Sequence, residues 1–235
     1  MIALTFDDAP HPEYVPKLLA LLRAEDVKAT FFLVGEQLKL FPDVARAIAA
    51  DGHEIGNHSL NHRNLTRASA SVEEEIVGMQ RLIKEIVGVT PVIYRPPFGT
   101  TSAEVRRICE RENLRIILWE VDTNDWREGT TREGIIRTVL DNTTSGSIIL
   151  FHATRLKTVE AVAELIPILR FRKFQFVTVS KLLQERALRE ELRRYAPQKE
   201  PPAPTRWKPQ GPERSSSALV APTTYSIQTP VLPTP

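Results

Sequence analysis

The sequence predicts an α/β protein built around a parallel β-sheet. From Met1 to about Tyr195, short apolar runs of strand length alternate with segments of helical periodicity. The 235 residues are 42% hydrophobic, enough to bury one sizeable core. No glycine-rich phosphate loop follows the first apolar run, which argues against a dinucleotide-binding fold. A β/α barrel and an open doubly wound sheet therefore remain the two candidate architectures.

Seven short apolar runs are predicted to be strands. They cover residues 2–6, 29–35, 53–57, 92–97, 115–121, 147–153 and 174–179. The intervening segments carry apolar residues at the spacing of an amphipathic helix. These predicted helices cover residues 12–26, 42–52, 71–88, 102–113, 131–142, 158–170 and 181–195. Strands that alternate with helices in this way favour parallel strand pairing.

Local signals mark the ends of several predicted helices. Ser71 with Glu74, and Thr101 with Glu104, each have the spacing of a capping box at a helix start. The second predicted helix ends at Gly52, as helices often end at a glycine.

The composition changes sharply after Tyr195. Ten of the eighteen prolines fall in residues 196–235, where serine and threonine are also frequent and hydrophobic periodicity disappears. Such a segment has too few apolar residues to form a core. We therefore predict one folded domain over residues 1–195 and a disordered Pro/Ser/Thr-rich tail over 196–235.

Bulk properties exclude several classes of protein. The formal charge is +2 and the body has no long basic stripe, so no nucleic-acid partner is expected. A single cysteine, Cys109, excludes an intrachain disulfide framework. The sequence contains no apolar run of about 18 residues, so no transmembrane helix is predicted. No signal peptide is recognisable at the start. The compartment is left open, because the first predicted strand begins directly after Met1, so the natural start could lie further upstream.

Polar and titratable side chains accumulate just after the predicted strands. In parallel α/β folds, active sites lie at the carboxyl ends of the strands, so these side chains are expected at one edge of the sheet. They are Asp7 and Asp8 after the first strand, Asn57, His58 and His62 after the third, Arg95 at the end of the fourth, Asp122 and Asp125 after the fifth, and His152 at the end of the sixth.

The stretches "DD" and "NHSLNH" indicate a metal site when they are taken together. His58 and His62 are four residues apart, which in a helical turn places both imidazoles on one side. An aspartate after the first strand would complete a His₂Asp set suited to Zn²⁺ or another divalent metal. Alone, the histidine pair is often a surface coincidence and the aspartate pair a turn. Because both pairs are expected at the same edge of the sheet, a metal site is favoured over two unrelated surface features.

A metal with open coordination positions favours hydrolysis. One aspartate would bind the metal while its neighbour takes a proton from water. Arg95 would keep that base ionised through charge-assisted hydrogen bonds. His152 is the available proton donor for a leaving amine, and Asp125 would fix its tautomer and raise its pKa.

Three other reactive side chains are interpreted as structural or inert. His11 follows Pro10 in a predicted loop, and His53 opens a predicted strand. Cys109 lies among charged residues in a predicted helix. None of the three is expected to take part in catalysis.

Five motifs occur in order along the chain: "TFDDAP", "HEIGNHSLNH", "RPPFG", "DTNDW" and "ILFH". They resemble the five motifs of the NodB-like polysaccharide deacetylases, carbohydrate esterase family four. The resemblance extends from Ile2 to about Leu183. It implies a distorted (β/α)₇ barrel and metal-dependent removal of N-acetyl or O-acetyl groups from sugars.

The resemblance also implies roles for the residues at the metal. By motif position, Asp7 would be the catalytic base, oriented by Arg95. Asp8, His58 and His62 would hold the metal, expected to be Zn²⁺, Co²⁺ or Ni²⁺.

Further roles are implied on the substrate side. His152 would be the catalytic acid, tethered by Asp125. The main-chain N–H of Phe98 would help to hold the oxyanion. Trp126 would line the sugar groove, and Leu150 would line the pocket for the acetyl methyl group.

The expected function is removal of N-acetyl groups from an N-acetylglucosamine polymer, either peptidoglycan or chitin-like, by a monomeric enzyme. Two alternatives keep the fold: an O-acetyl esterase acting on xylan and a hydrolase of small cyclic amides. A third alternative is a carbohydrate-binding pseudoenzyme, which the intact set of base, acid and ligands disfavours. If the natural chain begins further upstream, this substrate class suggests a secreted or cell-envelope location.

Overall fold

A computed structural model describes residues 1–67 and 71–195, which contain a seven-stranded parallel sheet. Its strands are β1 (Ala3–Ala9), β2 (Thr30–Leu33), β3 (Glu54–Asn57), β4 (Ile93–Tyr94), β5 (Arg115–Ile116), β6 (Val121–Asp122) and β7 (Ile148–His152). Their order across the sheet is β5-β4-β3-β2-β1-β7-β6. The predicted tail over 196–235 lies outside the described residues.

Helices connect the strands and cover the sheet. They are α1 (Tyr14–Ala24), α2 (Gly35–Leu40), α3 (Pro42–Ala50), α4 (Met79–Val87), α5 (Ala103–Arg111), α6 (Arg132–Asn142), α7 (Leu156–Phe171) and α8 (Val179–Tyr195). A π-helical turn, Glu74–Gly78, leads into α4, and a 3₁₀ turn, Pro97–Gly99, follows β4. The short helix α2 was not predicted. Within the described residues, no helix is long and apolar enough to cross a membrane.

The predicted strand over 115–121 is two strands at opposite edges of the sheet. β5 pairs with β4, whereas β6 pairs with β7. The four residues between them run from one edge to the other, with Ile117 N bonded to Tyr94 O at 2.8 Å and Glu120 N to Ile148 O at 3.0 Å. This link joins the two edges of a curled sheet and gives the distorted seven-stranded barrel that was predicted.

The predicted strand over 174–179 is wrong. Only one isolated parallel bridge forms there, between Phe176 and Ile2. The two sides of β1 are already occupied by β2 and β7, so this segment can pair only with the residue before β1 begins. The predicted number of strands, seven, is nevertheless correct. The run 115–121 forms two strands where one was predicted, and 174–179 forms none.

The first strand separates an apolar face from a polar face. Leu4 and Phe6 point toward the helices, where the Phe6 ring stacks on Phe31 and Phe151 at centroid distances of 5.0 and 5.6 Å. Thr5 and Asp7 alternate with them and are also buried. The strand period therefore places Asp7 on the barrel side of β1, away from the main helix-facing core.

One predicted helix cap is confirmed and the other is displaced by one residue. Ser71 Oγ accepts from Glu74 N at 3.2 Å, which is the hydrogen bond that the serine contributes to the predicted capping box. At α5 the cap is Ser102, whose Oγ accepts from Val105 N at 3.2 Å. The box predicted at Thr101 and Glu104 is therefore wrong, and Thr101 Oγ1 instead accepts from Arg106.

Candidate active site

The strand-end side chains line a cavity of about 350 Å³ at the carboxyl edge of the sheet. Its lining comprises Asp7, Asp8, His58, His62, Pro96, Phe98, Trp119, Asp122, Trp126, Leu150 and His152. Arg95 and Asp125 are fully buried behind this lining, where they contact Asp7 and His152. The predicted convergence at one edge is therefore present.

An irregularity at the end of β1 places two adjacent carboxylates in one cavity. In a regular strand, Asp7 and Asp8 would face opposite sides. The register with β2 shifts between Phe6 and Ala9, and Asp8 adopts a left-handed φ of 62°. The resulting bulge turns the Asp8 side chain to the same cavity as Asp7, with Asp8 partly exposed and Asp7 buried.

Asp8, His58 and His62 form a set of potential metal ligands. Their ligand atoms all lie within 4.8 Å of one another. Asp8 Oδ1 is 3.4 Å from His62 Nε2 and 3.8 Å from His58 Nε2. Two donors bound at about 2.1 Å to one tetrahedral ion stand about 3.4 Å apart. His58 Nδ1–H donates to the Arg95 carbonyl at 2.7 Å, which directs Nε2 toward Asp8. The donor types and spacing fit a divalent metal.

The two histidines meet through a loop, which corrects the predicted helical turn. His58 follows β3 directly, and residues 58–62 have no helical structure. Ser59 and His62 adopt left-handed φ values of 69° and 50°. The imidazole centroids consequently lie 5.0 Å apart, with the rings edge to face. The spacing of four residues was informative, but the helical reason for it was wrong.

Asp7 and Arg95 form a buried ion pair beside the ligand set. Arg95 Nη1 donates to Asp7 Oδ1 at 2.7 Å, and both side chains are almost completely buried. Burial alone would raise the pKa of Asp7, but the charge of Arg95, aided by His58 and His152, lowers the pKa below its ordinary value. Asp7 Oδ2 lies 3.6 Å from His58 Nε2. Asp7 is thus held ionised at the edge of the metal site.

The Arg95 guanidinium is fixed by contacts on several sides. Nη1 also donates to Thr5 Oγ1 at 2.8 Å, and Nη2 donates to the Leu118 carbonyl at 3.2 Å. The Phe32 ring lies 4.1 Å from the guanidinium carbon. A buried arginine with these partners keeps a single orientation, so the Asp7 carboxylate does too.

His152 and Asp125 form a second buried pair. His152 Nδ1–H donates to Asp125 Oδ1 at 2.8 Å, which leaves Nε2 for the cavity. Asp125 Oδ2 accepts from the His152 main-chain N–H at 2.8 Å and from Thr158 Oγ1 at 2.7 Å. Burial alone would lower the pKa of His152, but the hydrogen bond and charge of Asp125, with Asp7 and Asp8, raise it to about 9. His152 is therefore protonated near neutral pH.

The residues predicted to contact substrate surround the opening. Phe98 is 63% exposed, adopts a left-handed φ of 60° and stacks edge to face on His62 at 4.9 Å. Trp126 is 48% exposed, with Arg127 over its ring. Leu150 is buried in β7 and forms part of the cavity lining. Exposed aromatic rings at a polar cavity are suited to contact with the apolar faces of sugars.

The side chains interpreted as structural have structural contacts. His11 Nδ1 accepts from the main-chain N–H groups of Glu13 and Tyr14 at the start of α1. His53 Nδ1 accepts from Ala29 N at 3.2 Å, and burial lowers the pKa of His53 to about 4. Cys109 is buried in α5, and burial raises the pKa of its thiol to about 12.

Sequence reasoning missed several residues that support the site. Thr5 lies two positions before Asp7 on the same strand face, so its contact with Arg95 was accessible from the strand period. Thr158 in α7 holds Asp125, and nothing in the sequence signals this contact across 33 positions. Trp119 lines the cavity from the link between β5 and β6, a segment that was predicted to be strand.

Comparison with known proteins identifies the family. Residues 1–117 match the polysaccharide deacetylase family profile. The chain is 37% identical over 188 residues to a peptidoglycan-N-acetylglucosamine deacetylase of Bacillus cereus, covering 78% of this chain and 68% of that protein. The chain belongs to the polysaccharide deacetylase family. It is accordingly a hydrolase of carbon–nitrogen bonds other than peptide bonds.

Other polysaccharide deacetylases match along the same region. A chitooligosaccharide deacetylase of Azorhizobium caulinodans is 36% identical over 189 residues, covering 74% of this chain and 90% of that protein. The structure of the peptidoglycan deacetylase PdaC from Bacillus subtilis superposes with a TM-score of 0.76 and 34% identity, covering 84% of this chain and 97% of that one. These likenesses agree with the predicted barrel fold.

One structural relative is a pseudoenzyme. A CE4 family pseudoenzyme from Bacillus anthracis superposes with a TM-score of 0.72 and 31% identity, covering 78% of this chain and 65% of that one. The shared fold alone therefore does not separate an active polysaccharide deacetylase from a pseudoenzyme of the same family.

Proposed function

We propose that this protein hydrolyses the N-acetyl group of N-acetylglucosamine residues in a polysaccharide, peptidoglycan or chitin-like, with Asp7 as base and His152 as acid. The observation that supports it is the placement of two buried pairs, Asp7–Arg95 and His152–Asp125, beside one set of ligands. Asp7 and His152 are direct neighbours across β1 and β7. A base held ionised and an acid held protonated thus face the same cavity.

Asp8, His58 and His62 would hold a divalent metal, Zn²⁺, Co²⁺ or Ni²⁺. When bound, such an ion polarises a carbonyl and lowers the pKa of water to about 7, which makes hydrolysis of an amide possible near neutral pH. The first task of the protein is then to take a proton from water. Asp7 is suited to this because Arg95 occupies its Oδ1 and leaves Oδ2 on the side of the ligand set.

Completion of the reaction requires a proton for the departing nitrogen. As the acetyl carbon–nitrogen bond breaks, His152 Nε2–H would donate to that nitrogen, so that acetate and a free amine leave. Asp125 would hold the imidazolium through Nδ1 in the orientation that presents Nε2 to the cavity. The main-chain N–H of Phe98 would stabilise the oxyanion, and Leu150 would contact the acetyl methyl group.

The saccharide itself would lie across the exposed aromatic rings. Trp126 and Phe98 stand on the rim and offer apolar faces to a sugar ring. The named activities of the Bacillus cereus relative and of PdaC support peptidoglycan as the polymer, and that of the Azorhizobium relative supports a chitin oligosaccharide. N-acetylglucosamine is the unit named for the Bacillus cereus relative, and it occurs in both peptidoglycan and chitin. This unit defines the proposed substrate class.

The test is acetate release from three substrates: peptidoglycan, chitin oligosaccharides and acetylated xylan. Purified protein would be assayed as isolated, after chelation, and after reloading with Zn²⁺, Co²⁺ or Ni²⁺. We expect release from the N-acetylated substrates that disappears on chelation and returns with metal. Release from xylan alone would assign an O-acetyl esterase instead. No release from any substrate by the metal-loaded protein would contradict the proposal and favour a pseudoenzyme or a small-amide hydrolase.

A further inference from the structure

Glu75 is a buried carboxylate that the proposed mechanism does not use. It is 3% exposed, whereas its sequence neighbours Glu73 and Glu74 lie on the surface. A carboxylate loses its hydration on burial, so it needs compensating hydrogen bonds. Glu75 belongs to the π-helical turn Glu74–Gly78, and wide turns of this kind recur at functional sites. Its contacts indicate what it supports.

Both carboxylate oxygens of Glu75 are bonded to Asn61. Asn61 N donates to Oε2 at 2.9 Å, and Asn61 Nδ2 donates to Oε1 at 2.8 Å. The Glu75 main-chain carbonyl accepts from Leu60 N at 3.1 Å. Asn61 directly precedes His62, one of the proposed metal ligands. Glu75 thus holds the segment between the two histidines by three hydrogen bonds.

The opposite side of this loop is held by the start of α2. Gly35 N and Glu36 N donate to the carbonyls of Ser59 and Leu60 at 3.0 and 2.9 Å. A Cβ at Gly35 would stand 2.9 Å from the Leu60 Cα, so a larger residue there would displace the loop. The loop is therefore clamped between α2 and the π-helical turn.

The clamp maintains a backbone conformation that is costly for ordinary residues. Ser59 and His62 both have left-handed φ values, a region that non-glycine residues rarely occupy. Such residues persist when the surrounding contacts determine them. His62 N donates to Ser59 Oγ at 3.1 Å. The His62 side chain is 32% exposed, whereas that of His58 is 3% exposed, so fewer neighbours fix His62 in place. Its position therefore depends on the neighbouring Asn61.

We propose that Glu75 is a positioning residue that sets His62 Nε2 relative to Asp8, and thereby controls the affinity and geometry of the metal site. The inference depends on the proposed function only for the assignment of the three ligands. Contacts that orient a metal ligand typically change metal affinity 10- to 100-fold when they are removed. Here the contact acts through the backbone of the preceding residue.

The test variant is Glu75→Met, which keeps the approximate size of the side chain. Methionine offers no oxygen acceptor to the main-chain N–H or to Nδ2 of Asn61, so both hydrogen bonds are lost. We expect Zn²⁺ binding, measured on the metal-free protein by competition with a chelator, to weaken about 10- to 100-fold. The visible absorption of the Co²⁺-loaded protein should change as well, because it reports ligand geometry. The circular dichroism spectrum should stay as in the wild type.

The conservative variant Glu75→Gln removes the charge but keeps both hydrogen bonds. The glutamine oxygen accepts from the main-chain N–H of Asn61, and its NH₂ donates to Asn61 Oδ1 once the Asn61 amide has turned over. We expect this variant to keep a Zn²⁺ affinity and a Co²⁺ spectrum close to those of the wild type. Glu74→Met is the matched control, because it makes the same replacement at an exposed neighbour. Its affinity should equal that of the wild type.

A second contact-removing variant keeps the test informative if Glu75→Met does not fold. Asn61→Ala removes only the Nδ2 contact, and we expect a loss of Zn²⁺ affinity of about three- to tenfold. Wild-type affinity in both Glu75→Met and Asn61→Ala, or equally weakened binding in Glu75→Met and Glu75→Gln, would overturn the inference while leaving the ligand assignment intact. Failure of the wild-type protein to bind Zn²⁺ would overturn both.

Discussion

Replacement of Asp125 by asparagine should convert His152 from a cation into a neutral base. In the wild type, Asp125 Oδ1 accepts the Nδ1 proton of His152, and Oδ2 accepts from His152 N and Thr158 Oγ1. An asparagine whose oxygen serves the latter two donors must turn its NH₂ toward Nδ1. The imidazole then accepts at Nδ1 and loses the stabilisation of its charged form.

The expected magnitude follows from the pKa of His152. A value of about 9, against an ordinary 6.5, corresponds to about 3 kcal/mol in favour of the imidazolium. At pH 7 the charged fraction should fall from about 99% to about a quarter or less, because burial opposes the charge once Asp125 is lost. As the loss of a general acid costs about 10²–10⁴-fold in rate, kcat should fall within that range.

Two assays measure this change. A ¹⁵N NMR titration of the histidines in metal-free protein should place the pKa of His152 near 9 in the wild type and at or below about 6.5 in Asp125→Asn. Asp122→Asn is the matched control, because Asp122 also lines the cavity but bonds Asn124 N, and it should leave the His152 pKa near 9. A variant that still titrates near 9 would refute the reasoning.

The same shift predicts a pH-dependent loss of stability. Since the pKa of His152 is raised by folding, the pair stabilises the protein fully below pH 6.5, and that stabilisation is lost as the pH rises through about 9. Asp125→Asn should therefore lower the free energy of unfolding most below pH 6.5. An equal loss at pH 6 and pH 9.5 in urea unfolding would contradict this linkage.

Two further variants test the buried groups around the site. Arg95→Met should lower the free energy of unfolding by about 3–5 kcal/mol in urea, because it leaves the buried Asp7 carboxylate unpaired, and a loss below about 1 kcal/mol would be inconsistent with the ion pair. The buried His53 should destabilise the protein as the pH falls from 6.5 to about 4, by about 2 kcal/mol once solvent screening is allowed for, because protonation breaks its bond to Ala29 N. His53→Gln should remove that part of the pH dependence, and an unchanged acid slope would contradict it.

Strand-end chemistry was predictable because parallel strands all end at one edge. Asp7, His58, Arg95 and His152 could be grouped from the sequence alone, since each follows an apolar run whose direction is fixed by the helix that comes next. The adjacency of Asp7 and Asp8 was informative for the same reason. The bulge that lets both face one cavity was not predictable, because no local signal in "TFDDAP" marks the register shift or the left-handed φ of Asp8.

Other features depend on contacts between distant segments. The run 115–121 contains four consecutive apolar residues, 116–119, so nothing local signals that it leaves one sheet edge and joins the other. The helical reason given for His58 and His62 was wrong because the loop between them is held by Glu75 and by α2. In the sequence, the run "EEE" at 73–75 looks like part of a solvent-exposed helix face. Only the fold shows that Glu75 is the buried one of the three.

The central claim is that the adjacent aspartates divide their tasks, with Asp7 acting on protons and Asp8 on the metal. The most direct test measures bound Zn²⁺ and acetate release on the same sample of Asp7→Asn, beside His58→Ala. We expect Asp7→Asn to retain one equivalent of Zn²⁺ but to lose about 10²–10⁴-fold in kcat. We expect His58→Ala to lose the metal itself. Full turnover by Asp7→Asn, or loss of its metal to the same extent as in His58→Ala, would contradict it.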